Sequence, residues 1–290
     1  MNGESLDWQK LRRKPAAILG AGVSGSGAGT LLRSLDWEYA IFDEQSRAFG
    51  WAEAQACSIV VASPGFAVDH PWLTIARKAG AEIFGEVDFA SAFWPGRVLA
   101  VTGTNGKTTL VHLLTRLLNQ SGRIAYVAGN VGKSFAELVA TSPKEDATAV
   151  LELSSFQAET LRLLRPDSVI WSNLDEDHLD RHGDLVSYFQ AKASLVDRLE
   201  DGPFLAGISV IEASQATSVH LSREPRVVLR EEASKISILD DSPFNTFPQR
   251  ENLALVLAFA EEEGISEEVL TKALAGFRGE PHRLERVATV

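Results

Sequence analysis

Cysteine is almost absent from this 290-residue chain, with Cys57 the sole example. That excludes an internal disulfide framework, and its small apolar neighbours ahead of Ile59-Val60-Val61 read as the setting of a buried, inert thiol. A reducing, cytoplasmic location is the expectation. Long apolar runs are missing as well, and a membrane-spanning helix needs about 20 such residues. The basic start at Lys10, Arg12, Arg13 and Lys14 runs into Pro15–Leu19, but glycines at 20, 22 and 25 break that run into a strand and turn, unlike a signal peptide. Basic residues are outnumbered, 28 against 39 acidic, for a net charge of −11. This balance argues against nucleic-acid or anionic-membrane partners. Neither internal repeats nor low-complexity tracts are visible.

What is present is alternation. Short apolar strand candidates at Ala16–Leu19, Tyr39–Phe42, Ser58–Ala62 and Glu82–Phe84 are separated by helical patterns. A second set covers Val98–Val101, Ala125–Val127, Ala149–Leu153 and Val169–Trp171. The fold class that follows is α/β, with a Rossmann-like N-terminal domain over 1–95 and a P-loop domain with a mostly parallel sheet over 96–282, joined near Trp94-Pro95-Gly96. Past Leu199 the pattern weakens, with strand candidates at Val227–Leu229 and Ile236–Leu239 ahead of helices over Asn252–Glu263 and Ser266–Phe277.

The second set opens with Val98–Thr109, an apolar strand that runs into Gly103-Thr104-Asn105-Gly106-Lys107-Thr108-Thr109. Glycines permit a tight turn whose N–H groups aim at phosphate oxygens. Lys107 adds a cation for the β- and γ-phosphates, and the Thr108 hydroxyl can ligate Mg²⁺ at a helix N-terminus. The apolar spacing of Leu110, Leu113, Leu114, Leu117 and Leu118 makes the following segment an amphipathic helix.

Gly20-Ala21-Gly22-Val23-Ser24-Gly25 fits G-x-G-x-x-G after a strand, and Asp43 closes the next one. Those residues alone are compatible with NAD or FAD, with a uridine or other nucleotide diphosphate, or with a ligand-free turn. Ser63-Pro64-Gly65 would share their sheet edge. In the second set, Glu152 ends a buried strand where a Mg²⁺ ligand could stand or where helix N–H groups could satisfy it. After Trp171, the segment Asn173–His182 crowds two histidines and four acids behind a strand, although charge runs are ordinarily solvated loops. Lys192 lies on a helical pattern, where a lysine by default snorkels to solvent.

These residues together resemble the Mur ligase family. TGTNGKTT at Thr102–Thr109 is shared by several of its branches and by folylpolyglutamate synthases. Leu151–Gln157 (LELSSFQ), the Rossmann-like start and the Ser63-Pro64-Gly65 loop are more particular to the D-glutamate-adding branch. Ala128–Gly132, Asp177–His182, Ala191-Lys192 and Pro281–Glu285 follow in the family's order. The resemblance implies ATP and Mg²⁺ as cofactors, with UDP-N-acetylmuramoyl-L-alanine and D-glutamate as substrates of a monomer. It implies catalytic roles for Lys107, His178 and Lys192, the last carbamylated, and metal contacts from Thr108, Glu152, His178 and Lys192. Gly103 to Thr109, Asn252 and Arg283 would bind ATP. Val23, Ser24, Asp43, Ser63, Asn130, Ser154 and Gln157 would bind the UDP substrate.

Two departures stand out. The family's H-N-x-x-N appears as Pro248-Gln249-Arg250-Glu251-Asn252, and the chain stops at Val290, where family members continue into a third, amino-acid-binding domain. Residues 283–290 would then begin the linker to that domain. The leading expectation is an incomplete ATP-dependent ligase. A non-catalytic relative that holds the UDP substrate or ATP is the second reading. An oxidoreductase has no use for the P-loop and its acids.

Overall fold

Strands with apolar residues at every position, such as Ala16–Leu19 and Val98–Val101, are buried on both faces, which suits a parallel sheet covered by helices on each side. The computed structural model describes residues 6–142, 144–236, 244, 247–275 and 277. Their contacts divide into two units. The first is built from the chain up to Pro95 with Lys133–Pro143 and Thr160–Leu164. The second is built from Gly96–Gly132, Lys144–Glu159 and the chain from Arg165 onward.

In chain order the first 95 residues form α1 (Trp8–Leu11), β1 (Ala16–Leu19), α2 (Val23–Ser34), β2 (Tyr39–Phe42), α3 (Trp51–Ala56), β3 (Ile59–Ala62), α4 (Pro71–Lys78), β4 (Glu82–Gly85) and α5 (Glu86–Ser91). The sheet order is β2-β1-β3-β4, all parallel. Leu19 is in register with Phe42 and Ala62, so Gly20, Asp43 and Ser63 follow their strands at one carboxyl edge. Each motif glycine has its own reason. Gly20 holds φ +99° with Ser63 Oγ only 2.7 Å from where a Cβ would stand. A Cβ on Gly25 would lie 1.8 Å from the Gly20 carbonyl oxygen, so only glycine lets α2 meet β1 this closely.

The second stretch forms β5 (Arg97–Thr102), α6 (Lys107–Gln120), β6 (Ile124–Gly129), α7 (Phe135–Thr141), β7 (Ala147–Glu152), α8 (Ser155–Ala158), β8 (Ser168–Trp171), α9 (Leu179–His182), α10 (Leu185–Val196), β9 (Phe204–Gly207), α11 (Ile208–Thr217), β10 (Arg226–Val228), α12 (Gln249–Glu262) and α13 (Glu267–Leu274). Its sheet is β10-β9-β8-β5-β7-β6, again parallel. Val101 is opposite Glu152, and Thr102 opposite Trp171, so the loops after β5, β7 and β8 emerge side by side. The α6 leucines at 110, 113, 114, 117 and 118 are buried with Leu253, Val256 and Leu257 of α12. Full burial of such a side chain contributes about 1.5–3 kcal/mol.

The domain boundaries expected at 1–95 and 96–282 therefore need two additions to the first unit. Glycine 27 of α2 lies so close to Ser134 that a Cβ would stand 1.8 Å from its hydroxyl, which draws α7 onto α2. Buried Asp88 accepts the N–H groups of Arg162, Leu163 and Leu164 at 2.7–3.0 Å, which binds that turn. Strand β9 went unread beyond Leu199. The candidate at Ile236–Leu239 begins in a bend at Ile236, and its remainder lies outside the described residues.

Candidate active site

In the second unit the glycine loop closes β5 and starts α6. Gly106 caps the helix at φ +78°, a left-handed conformation that glycine adopts without strain, and as a glycine it adds no side-chain cap bond. Asn252, fully buried on α12, donates from Nδ2 to the Gly106 carbonyl at 3.0 Å and to Gln249 Oε1 at 3.2 Å. Lys107 Nζ donates back to the Thr104 carbonyl at 2.9 Å.

Beside the loop, Thr108 Oγ1 donates to Glu152 Oε2 at 2.8 Å, and Asn130 Nδ2 donates to Oε1 at 3.0 Å. Thr108 and Glu152 are buried. A hydroxyl and a carboxylate facing each other at the head of a phosphate-type loop are hard oxygen donors of the kind Mg²⁺ takes. Thr109 is buried one position along, on the helix itself.

Lys192 is 1% exposed, which overturns the default of a solvated lysine. The cause is its place on α10. It stands four residues after Tyr188 and three before Leu195, on the helix's apolar face. Its Nζ donates to the Gly103 carbonyl at 2.9 Å and lies 4.7 Å from the Tyr188 ring centroid. Burial, with the Lys107 charge second, holds this amine well below the usual lysine range.

His178 is not drawn into this group. It sits at a left-handed N-cap of α9, half exposed, 3.4 Å from Asp177 and packed against Phe156. Of the four expected metal contacts, only Thr108 and Glu152 meet. Lys192 as an amine presents hydrogens to Gly103, and among the described residues no group of three or more His, Cys, Asp or Glu could hold a metal. Ser154 and Gln157 face each other across the start of α8 in a capping box, with Gln157 Oε1 accepting from the Ser154 N–H at 3.0 Å. Arg283 lies outside the described residues.

Three contacts escaped sequence reasoning. Asn173 grips the glycine loop, Tyr188 reaches Thr104, and His182 Nε2 stands 2.9 Å from Ser155 Oγ. Helical spacing places Tyr188 on a core face, but nothing in the pattern marks the other two.

The first unit carries its own candidates at one sheet edge. Asp43 accepts the Ala21 N–H at 3.0 Å and the Gln45 N–H at 3.0 Å, and these bonds, Gln45 first, hold its carboxyl below the usual range. Val23 is 68% exposed at the start of α2, with Ser24 half-buried beside it. Ser63 Oγ is buried against Gly20 without a hydrogen-bond partner among the described residues.

The sequence model of the Mur ligase middle domain matches residues 101–257, from β5 into α12. The chain belongs to the Mur ligase family. It is 30% identical to the UDP-N-acetylmuramoylalanine--D-glutamate ligase of Acidobacterium capsulatum, over 97% of this chain and 70% of that one. It is 34% identical to the enzyme of the same name from Synechococcus sp. (strain CC9605), over 80% of this chain and 55% of that one. Among solved structures it is similar to a UDP-N-acetylmuramate:L-alanyl-gamma-D-glutamyl-meso-diaminopimelate ligase from Neisseria meningitides. The TM-score is 0.62 at 16% identity, covering 92% of this chain and 99% of that one. A UDP-N-acetylmuramate-alanine ligase from Thermotoga maritima gives 0.54 at 18% identity, over 91% of this chain and 69% of that one. Those two likenesses show a Mur ligase fold with parallel α/β sheets. No helix among the described residues is long and apolar enough to cross a membrane.

Proposed function

We propose that this chain serves ATP-dependent ligation in peptidoglycan precursor synthesis, joining D-glutamate to UDP-N-acetylmuramoyl-L-alanine through an acyl phosphate. The observation that carries the reading is the phosphate-type loop whose helix start brings Thr108 onto Glu152, beside a buried lysine. The names of the relatives supply the substrates.

In this reading the substrate carboxylate attacks the γ-phosphorus and ADP leaves. The amino group of D-glutamate then attacks the acyl carbon and phosphate leaves. Lys107 and the N-terminus of α6 stabilise negative charge on the transferring phosphoryl group. Thr108 and Glu152 would hold Mg²⁺, which when bound neutralises further charge on the phosphates. Lys192, kept toward its neutral form by burial, has the nitrogen lone pair that carbamylation by CO₂ requires. The new carboxylate would turn a hydrogen-bond donor into an acceptor in the loop's wall. Asn130 orients Glu152, and Asn252, which donates to the Gly106 carbonyl, would border the ATP. In the first unit, Ala21–Ser24, Asp43 and Ser63 form the edge proposed for the uridine nucleotide.

The test is phosphate release from ATP, with UDP-N-acetylmuramoyl-L-alanine present or omitted and D-glutamate varied, with mass spectrometry of the nucleotide product. Phosphate release that requires the UDP substrate supports the reading, and a product extended by D-glutamate completes it. Release indifferent to the UDP substrate, or no affinity for ATP, would overturn it.

A further inference from the structure

The groups that shape the glycine loop lie outside it, at the end of β8. Asn173, buried, accepts the Thr104 N–H at 3.1 Å and the Asn105 N–H at 2.8 Å on one oxygen, Oδ1, and donates from Nδ2 to the Asn105 carbonyl at 3.0 Å. Its own carbonyl also accepts the Thr104 N–H, and Ser172 Oγ donates to the Asn105 carbonyl at 3.2 Å. Thr104 carries the connection onward. Its hydroxyl accepts the Asp175 N–H at 3.0 Å and lies 3.2 Å from both the Asp175 carbonyl and the Tyr188 hydroxyl.

Within the loop, the N–H groups of Thr104 and Asn105 are committed to protein oxygen. In the ATP reading, the start of α6 at Lys107 is the end of the loop that faces the anion. Only a carboxamide makes this grip, since an aspartate lacks the donor for the Asn105 carbonyl and an apolar residue lacks both functions.

We propose that Asn173 is the positioning residue of the phosphate loop, and that through Thr104 it ties that loop to the Asp175–His178 segment, so that nucleotide binding and the placement of that segment are coupled. The proposal rests on the reading of Gly103–Thr109 as the ATP site. Its physical basis is the cost of freeing partly buried N–H groups, which would otherwise sample several orientations before a phosphate arrives.

The experiment combines amide hydrogen exchange at Thr104, Asn105 and Asp175 with the affinity for Mg²⁺ and a non-hydrolysable ATP analogue. Wild type is compared with Asn173→Ala, Thr104→Val and Thr104→Ser. In Asn173→Ala, protection at Asn105 and analogue affinity are each expected to fall about tenfold, whereas the Thr104 N–H keeps the carbonyl of residue 173. Thr104→Val, which keeps the shape and removes one hydroxyl, is expected to lower Asp175 protection and analogue affinity, whereas Thr104→Ser restores both. The Thr104 pair decides the matter even if Asn173→Ala does not fold. Unchanged exchange in Asn173→Ala, or equal behaviour of Thr104→Val and Thr104→Ser, would overturn the proposal. Failure of the wild type to bind the analogue would instead overturn the ATP reading, with exchange still deciding whether Asn173 holds the loop.

Discussion

The hydroxyl of Thr108, at the start of α6, donates to the buried carboxylate of Glu152 at the end of β7, at 2.8 Å. A hydroxyl that ligates Mg²⁺ uses its oxygen lone pairs, so in the proposed reading the cation would be held between these two hard donors. Glu152→Gln is expected to leave metal-free nucleotide affinity near wild type and to abolish the gain from Mg²⁺. Calorimetric titration of ATP in Mg²⁺ and in EDTA checks this. A Mg²⁺ gain that survives in the variant would remove Glu152 from the metal site.

Lys107→Ala is expected to weaken ATP binding by about 1.5–3 kcal/mol, roughly 10- to 150-fold, the size of a charge-assisted phosphate contact. The fold should persist, because Lys107 is only partly buried and its Nζ donates to a neighbouring loop carbonyl. Calorimetry with a parallel thermal melt separates the two effects.

Lys192 is expected to take up CO₂, because burial keeps its amine well below the usual lysine range. Carbon-13 NMR in labelled bicarbonate should show a carbamate signal that Lys192→Ala lacks, and short carboxylates should restore phosphate release to that variant. A free amine under saturating CO₂ and Mg²⁺, with no rescue, counts against the modification.

Glu86 sets a pH dependence in the first unit. Its Oε1 accepts the Ala136 N–H, its Oε2 is buried with no hydrogen-bond partner among the described residues, and burial pushes the carboxyl up to about 7. Between the ordinary value of 4.5 and about 7 the folded state binds more protons than the unfolded chain, so stability falls as pH rises through that window. The full loss is on the order of 3 kcal/mol. Glu86→Gln should remove this slope. Urea unfolding at pH 5 and pH 8 for both proteins would show it, and parallel slopes would refute it.

Gly25→Ala is expected to destabilise the first unit by at least about 1–3 kcal/mol, the usual cost of overpacking, since its Cβ would meet the Gly20 carbonyl oxygen at 1.8 Å. Gly22→Ala, with nothing within 4 Å of its Cβ, should fold normally. Comparing the two melts tests whether the motif's third glycine serves packing.

Sequence and structure agree where burial leaves a composition signal. Strands such as Val98–Val101 are apolar at every position and bounded by glycine or charge, so they can be read directly. Four-residue β9, Phe204–Gly207, offers too short a run to be distinguished from loop or helix. Lys192 emerged only through family resemblance, although the spacing of Leu185, Tyr188, Phe189, Leu195 and Val196 assigns position 192 to a core face. Asn173 was invisible as an anchor because it opens a run of acids and histidines that reads as solvated loop. Its contacts reach 68 and 69 residues back along the chain, a distance no local pattern encodes.

The first unit recruits residues 133–143 and 160–164 from the middle of the chain, so the polypeptide leaves and re-enters it. A gene rearrangement with one crossover at codon 95 would therefore not transplant an intact unit. It would strip α7 from the glycine face of α2 and deprive the carboxylates of Glu86 and Asp88 of the N–H groups that donate to them. Exchange of the first unit between relatives therefore requires matched replacement of three separate segments.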